Sequence, residues 1–429
     1  MLLTKEPAEL RTLLGLASAA MGFALWFPSL GIPAGPISLQ PADLVALAAL
    51  PIVLAYSATL PAQVWLLLSL SLCASFAAYL NGGALAVLLY YTVFLSGFVL
   101  LVAKIVQQRR LRSLFLRAFV LGAAASSALF LLQVGLGAES LDFRTNDSFS
   151  NPPQFGRGFA VFPEVSTFAT HQIYFAGVAI VLLRATQVGR GLLSRPMAWV
   201  FLVLVLTCLA MSRSSSVIVV APIVFAVAFM KGRALSFRNI LVLSLAIVLT
   251  MVLLQVFLSA FYSDRVAGSA LRSIYLRGIT MLTGLSVIPN YEVLGVGLGN
   301  NDAVTVRAFE VARALNFEFI LLPTGINSFV ITRIFEEGWL AIVLVGTAIT
   351  MLARVLLAPP GDGGSWLAEP TLLCFVVLAL ASFLVSLLVT GYRGIYMNWF
   401  WLGAIPALYA RTVARRGLTR APHRPRGAR

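Results

Sequence analysis

Between Phe261 and Glu337 the chain carries six arginines, Arg265, Arg272, Arg277, Arg307, Arg313 and Arg333, and no lysine. A guanidinium offers a planar fork of N–H donors that matches two phosphate oxygens at once, whereas an ammonium acts as a point charge. That choice of cation suggests phosphate recognition, although a solvated stretch of scattered charge has the same composition. Further arginines lie elsewhere, at Arg144, Arg157, Arg213 and Arg393, with carboxylates at Glu164, Glu336 and Glu337. Such a set can do one kind of chemistry without a metal. Arginines can neutralise a departing pyrophosphate as its bond to a sugar breaks, and a carboxylate can take the proton of the attacking hydroxyl.

Other chemistries are poorly provided for. The two histidines, His171 and His423, are far apart, and Cys73, Cys208 and Cys374 all sit in apolar runs. This speaks against a transition-metal site and against disulfides. There is no Asp-x-Asp pair, phosphate-binding P-loop or serine nucleophile elbow. The glycine cluster Gly295-Val-Gly297-Leu-Gly299-Asn300-Asn301 lacks the spacing of a dinucleotide fingerprint. It reads as a tight turn whose backbone comes close to some other part of the protein.

The elements that must position these residues are set by composition. The chain is 60% hydrophobic and 11% charged, with mean hydropathy +0.93. Apolar runs of about 18–22 residues recur along it, each able to cross a ~30 Å hydrocarbon core. The expected fold class is all-α: a single polytopic helical membrane domain over residues 1–429. It holds one long polar loop, 259–337, and ends in a basic tail, 411–429. Twelve spans are predicted, at about Leu13–Leu30, Leu44–Leu60, Gln63–Leu80, Ala84–Val106, Leu114–Val134, Phe168–Leu183, Ala198–Met211, Val217–Met230, Ile240–Leu258, Trp339–Leu357, Thr371–Thr390 and Met397–Ala410. The mixed charge of Met1–Arg11 suggests that the first run is a retained helix rather than a signal peptide.

The pI near 10.5 could suggest nucleic acid, but the positive charge falls mainly in short loops between apolar runs, where it sets orientation. With the N-terminus inside, the knots at Gln107–Arg112, at Arg184, Arg190 and Arg195, and at Lys231, Arg233 and Arg238 all fall inside. So does the tail, which reads as disordered and able to meet anionic headgroups. The long loop, the segment after the fifth span, and the turns at Arg213 and Arg393 fall outside. A charge at membrane depth costs about 2.5–3.5 kcal/mol on insertion scales, so Arg213 and Arg393 call for a reason. It is either a water-filled cavity or a side chain snorkelling at a helix end. Few charges lie near span centres, which argues against a flippase or transporter.

Four stretches resemble the O-antigen ligase and polymerase family of bacterial inner membranes. Met211-Ser-Arg213-Ser-Ser-Ser is similar to the family's Ser-Arg-Ser turn between two spans. Arg277 followed by Leu294-Gly-Val-Gly-Leu-Gly-Asn300 resembles its Arg…Gly-x-Gly-x-Gly-Asn pattern. Ile326-Asn327-Ser-Phe329, followed by Glu337-Gly-Trp-Leu340, resembles its His-Asn-Ser…Glu-Gly stretch. Gly156-Arg157-Gly-Phe-Ala-Val-Phe-Pro-Glu164-Val-Ser166 looks like the Arg…Phe-x-Glu-Pro-Ser segment of the polymerases.

The resemblance implies a GT-C-like, metal-independent inverting glycosyltransferase that needs no cofactor. It would act on undecaprenyl-pyrophosphate-linked oligosaccharide at the periplasmic face of the inner membrane, with a chain-length regulator as a further partner. Arg213 and Arg277 would hold the pyrophosphate, and Arg157, Arg272, Arg393, Asn327 and Glu337 would line the same cavity. Glu164 would be the base or an orienting residue, unless it is simply a helix N-terminal carboxylate favoured by the macrodipole.

One position departs from the family pattern. Ile326 stands where the ligases have histidine, which favours a polymerase of repeat units over transfer of glycan to an acceptor lipid or protein. His171, about one turn inside the sixth span, reads as an interior residue. Glu336 and Glu337 are expected to open the tenth span, with Arg333 in ion-pair range on a helix.

Overall fold

The computed structural model describes residues 8–34, 37–55, 59–137, 141–144, 158–187, 192–212, 214, 216–229, 277–314, 325–358, 369–389 and 393–420. These are almost wholly helical. In chain order the helices are α1 Ala8–Ala24, α2 Pro41–Ala55, α3 Ala62–Leu80, α4 Leu85–Tyr90, α5 Ser96–Gln107, α6 Arg109–Leu136, α7 Val165–Gln187, α8 Arg195–Ser212 and α9 Ser216–Phe229. There follow α10 over residues 277–285, α11 Asn301–Ala314, α12 Phe329–Glu337, α13 Trp339–Leu356, α14 Pro370–Leu388 and α15 Phe400–Arg420. One short antiparallel hairpin, Ile32–Ala34 with Ile37–Leu39, links α1 to α2.

Helices occupy eleven of the twelve predicted apolar runs, and the twelfth, 240–258, lies outside the described residues. Among the described residues, seven helical rods are long and apolar enough to cross a bilayer: α3, the continuous rod Leu85–Gln107, α6, α7, α8, α13 and α14. The chain is an all-α, membrane-embedded protein. The rod Leu85–Gln107 is not uniform. A π-helical turn at Tyr91–Leu95 joins α4 to α5, and such turns are rare and frequent at functional sites.

Helices in lipid associate by close packing rather than by expulsion of water, so small residues sit where backbones meet. A Cβ at Gly22 of α1 would lie 2.4 Å from the Phe115 carbonyl oxygen on α6. One at Gly97 of α5 would lie 2.6 Å from that of Ala46 on α2. Helices α7 and α14 are buried on nearly every side and form the interior of the bundle.

Two polar assemblies lie apart from one another. In the first, Arg411 donates to the Gln107 carbonyl at 3.0 Å and to Glu369 at 2.8 Å. Arg112 donates to the same Glu369 and to Thr371 Oγ1. These residues come from segments that charge alone assigns to the inside. Helix α15 runs on through Arg420, so residues 411–420 continue the helix instead of forming the disordered tail expected of them. The bonds of Arg411 account for its first turn beyond Ala410. The second assembly joins the α3–α4 turn, the glycine cluster and Arg393, all assigned by charge to the outside.

Candidate active site

The glycine cluster closes around the end of α12. A helix leaves its last carbonyls without intrahelical partners, and here a neighbouring loop supplies them. Val296 N donates to the Phe335 carbonyl at 3.0 Å and Gly297 N to that of Glu336 at 3.3 Å, while Trp339 N reaches back to the Val293 carbonyl at 3.0 Å. The same loop is fastened to the α3–α4 turn. Asn81 Nδ2 donates to the Gly295 carbonyl at 2.8 Å, and Ala84 N to that of Leu298 at 2.7 Å. Gly295 has φ +69°, and a Cβ there would lie 2.4 Å from the backbone of Glu336. Gly295→Ala is therefore expected to cost about 1–3 kcal/mol from the left-handed backbone alone, before the overlap is counted. The check is a lower thermal unfolding midpoint in detergent.

Glu336 and Glu337, expected to open the tenth span, instead close α12. Gly338, at φ +62°, turns the chain between α12 and α13. Adjacent helical residues point about 100° apart, and the two carboxylates accordingly face different partners.

Glu337 faces α3. It is fully buried and bonded to Arg333, with Nη2 to Oε2 at 2.6 Å and Nε to Oε1 at 3.0 Å. Ser75 Oγ donates to its Oε1 at 2.8 Å. Arg333 Nη1 donates to Ser71 Oγ at 2.9 Å, and its guanidinium lies 5.3 Å from the Trp399 ring and 5.8 Å from that of Tyr91. Both Glu337 oxygens are engaged from within.

Glu336 faces the other way. Its Oε1 accepts from Arg393 and, at 3.0 Å, from Gly299 N. Burial pushes this carboxyl up to about 7, with the Arg393 charge opposing the rise. The carboxylate is buried, but about a quarter of the Arg393 side chain is exposed, at 23%, so the cation forms the outer face of the pair. Trp399 Nε1 donates to the Arg393 carbonyl at 2.8 Å and holds the turn.

A second guanidinium, that of Arg277, lies at the start of α10 within electrostatic reach of Glu164. Arg277 is half-buried; burial lowers its pKa, and the nearby charge of Glu164 raises it. Glu164 precedes α7 and accepts from Ser166 Oγ. Its segment is set by a buried glutamine on α6: Gln133 Oε1 accepts from Phe159 N and Ala160 N, and its Nε2 donates to the Ala160 carbonyl at 2.9 Å. Helix α10 also touches α12, because Gly284 lies against Ile331 and Ile326. One short helix thus carries Arg277 and abuts the helix that carries Glu336.

No protein-family model matches the chain, and no curated protein matches it.

Of the residues singled out from sequence, Arg393 bonds to Glu336, and Arg277 lies within electrostatic reach of Glu164. Asn327 is exposed, beside Ser328, which caps α12 by accepting from Ile331 N at 3.2 Å. Arg157, Arg213 and Arg272 lie outside the described residues. His171 is interior, as expected. Its Nδ1 lies 3.0 Å from the Thr167 carbonyl, and its ring is packed between Trp26, Phe162 and Tyr174.

Several further residues of the site were not singled out from sequence. Asp43 accepts from Gln40 N at 2.7 Å, from Tyr90 at 3.1 Å and from Tyr396, fixing the segment after Arg393. A polar residue followed three positions later by an acid is a helix-start pattern, and Gln40-Pro-Ala-Asp43 could have been found that way. Tyr91 and Trp399 could not, because aromatic residues in apolar runs usually mark core.

Proposed function

We propose that the protein is a polysaccharide polymerase of the bacterial inner membrane. It joins undecaprenyl-pyrophosphate-linked oligosaccharide repeat units at the periplasmic face, within a twelve-span bundle whose loop 259–337 closes over the site. A hydroxyl of one unit attacks the anomeric carbon of the growing chain, and undecaprenyl pyrophosphate leaves with inversion. Arg213 and Arg277 hold the pyrophosphate, Arg157, Arg272 and Arg393 extend the cationic wall, and Glu164 orients Arg277. Glu337 secures Arg333 and with it the seat of α12.

The observation that carries this reading is the placement of Arg393 and Arg277. Arg393 is a partly accessible guanidinium bonded to a buried carboxylate, Arg277 is a half-buried one in the field of Glu164, and the short helix that carries Arg277 abuts the helix that carries Glu336. Fixed cations of this kind stabilise charge as it develops on a leaving group, without reorganising at the moment of reaction. The buried Ile326, where a ligase of the resembled family carries histidine, supports repeat-unit polymerisation over ligation.

Deleting the gene and resolving the surface glycan by gel tests the reading. Loss of the long ladder, with a single repeat unit still attached, is the expected result. Accumulated lipid-linked polymer would instead mean a ligase, and single units held on the cytoplasmic leaflet would mean a flippase.

A further inference from the structure

Tyr91 and Glu336 are both buried at the Arg393 turn, and each keeps a polar atom without a hydrogen-bond partner among the described residues: the Tyr91 hydroxyl and Glu336 Oε2. Buried polar atoms are rarely left unsatisfied, and those that are call for an explanation. The two lie within electrostatic reach of one another and of Arg393, Arg333 and Glu337, yet they do not bond to each other. Tyr91 is also the first residue of the π-helical turn, and its ring is fixed edge-on to Trp399 at 4.7 Å. A donor and an acceptor are thus buried within electrostatic reach of one another, each without a hydrogen-bond partner among the described residues.

We infer that Tyr91 and Glu336 form the subsite for the attacking sugar hydroxyl, in which Glu336 Oε2 takes the proton of that hydroxyl and the Tyr91 hydroxyl donates a hydrogen bond to the sugar oxygen. The inference rests on the transfer reaction proposed above; it assigns the base to Glu336 and leaves Glu164 as an orienting residue. The hydroxyl oxygen forms a bond to the anomeric carbon as its proton passes to Glu336. The bond from that carbon to the pyrophosphate oxygen breaks, and undecaprenyl pyrophosphate keeps the electron pair. Arg393, bonded to Oε1, leaves Oε2 facing the hydroxyl and places positive charge beside the reacting groups. A carboxyl that titrates near the working pH suits this role. The groups facing it are Arg393, Glu337, the Gly299 amide, Arg333 and Tyr91.

The test uses the full-length protein in lipid nanodiscs and, as probe, the lipid-linked glycan extracted from cells lacking the gene. Release of undecaprenyl pyrophosphate is measured per folded molecule from pH 5.5 to 8.5 (about three units centred on neutrality, where an acid–base group must titrate). The wild-type rate is expected to fall as pH drops through about 7, where Glu336 becomes protonated. Glu336→Gln should lower the rate about 100-fold or more and remove that acid limb. Glu336→Asp should restore part of the rate together with the limb. Tyr91→Phe should lower the rate about 10-fold, the worth of one hydrogen bond, and keep the limb. If Glu336→Gln and Tyr91→Phe turn over at the wild-type rate with an unchanged pH profile, the subsite is refuted while the polymerase reading stands. A silent wild type overturns the polymerase reading and the subsite with it.

Discussion

Arg333→Met is expected to destabilise the protein by about 3–5 kcal/mol, the cost of leaving one buried charge without its partner. Glu337 is fully buried, and Arg333 supplies three of the contacts to its oxygens. Without the guanidinium, Ser75 alone remains bonded to that carboxylate. The double variant Arg333→Met/Glu337→Leu should recover most of the loss, because it removes both charges together and fills the space with apolar atoms. Ser75 would stay satisfied through the Ser71 carbonyl, 3.1 Å away. A double-mutant cycle on thermal unfolding in detergent reads the result. A single-variant cost below about 1 kcal/mol, as for an exposed ion pair, would show that water reaches the pair. The effect reaches the site as well. The Arg333–Glu337 bond fixes the rotation of α12 against α3, and that rotation aims the adjacent Glu336 at Arg393.

The helical membrane architecture was legible because bilayer thickness imposes one length on every crossing element. An apolar run such as 370–388 has no soluble alternative. The Arg333–Glu337 pair was legible too, since a spacing of four on a helix brings side chains together. The glycine cluster announced a close backbone approach without revealing its partner, because the end of α12 that it clasps is a tertiary fact. Glu336 and Glu337 were placed on the wrong helix because one glycine at positive φ, Gly338, divides two segments that hydropathy reads as continuous. Tyr91 was invisible for a different reason. A π-helical turn leaves no mark in composition, and a tyrosine among leucines and valines looks like packing until its hydroxyl is found without a partner. The two cysteines buried in α8 and α14, Cys208 and Cys374, look the same in sequence and are packing residues in the structure.

Arg277→Ala is expected to lower the rate of undecaprenyl pyrophosphate release about 10²–10³-fold, the usual loss when one preorganised donor to a developing negative charge is removed. The protein should still insert and melt normally, since Arg277 is half-buried and Glu164, which lies in its electrostatic reach, keeps the bond from Ser166. Arg277→Lys retains the charge but loses the planar fork, so it should recover only part of the activity. Arg307 is the internal control. It belongs to the same arginine-rich stretch, but its guanidinium is committed to Glu292 at 2.6 Å and Glu310 at 3.4 Å on a partly exposed face of α11. Its removal should cost no more than about 1 kcal/mol of stability and leave turnover near wild type. Equal losses at Arg277 and Arg307 would mean that the stretch works as diffuse positive charge. A large loss at Arg277 alone would mean that this one guanidinium grips the diphosphate while its neighbours only hold the loop in shape.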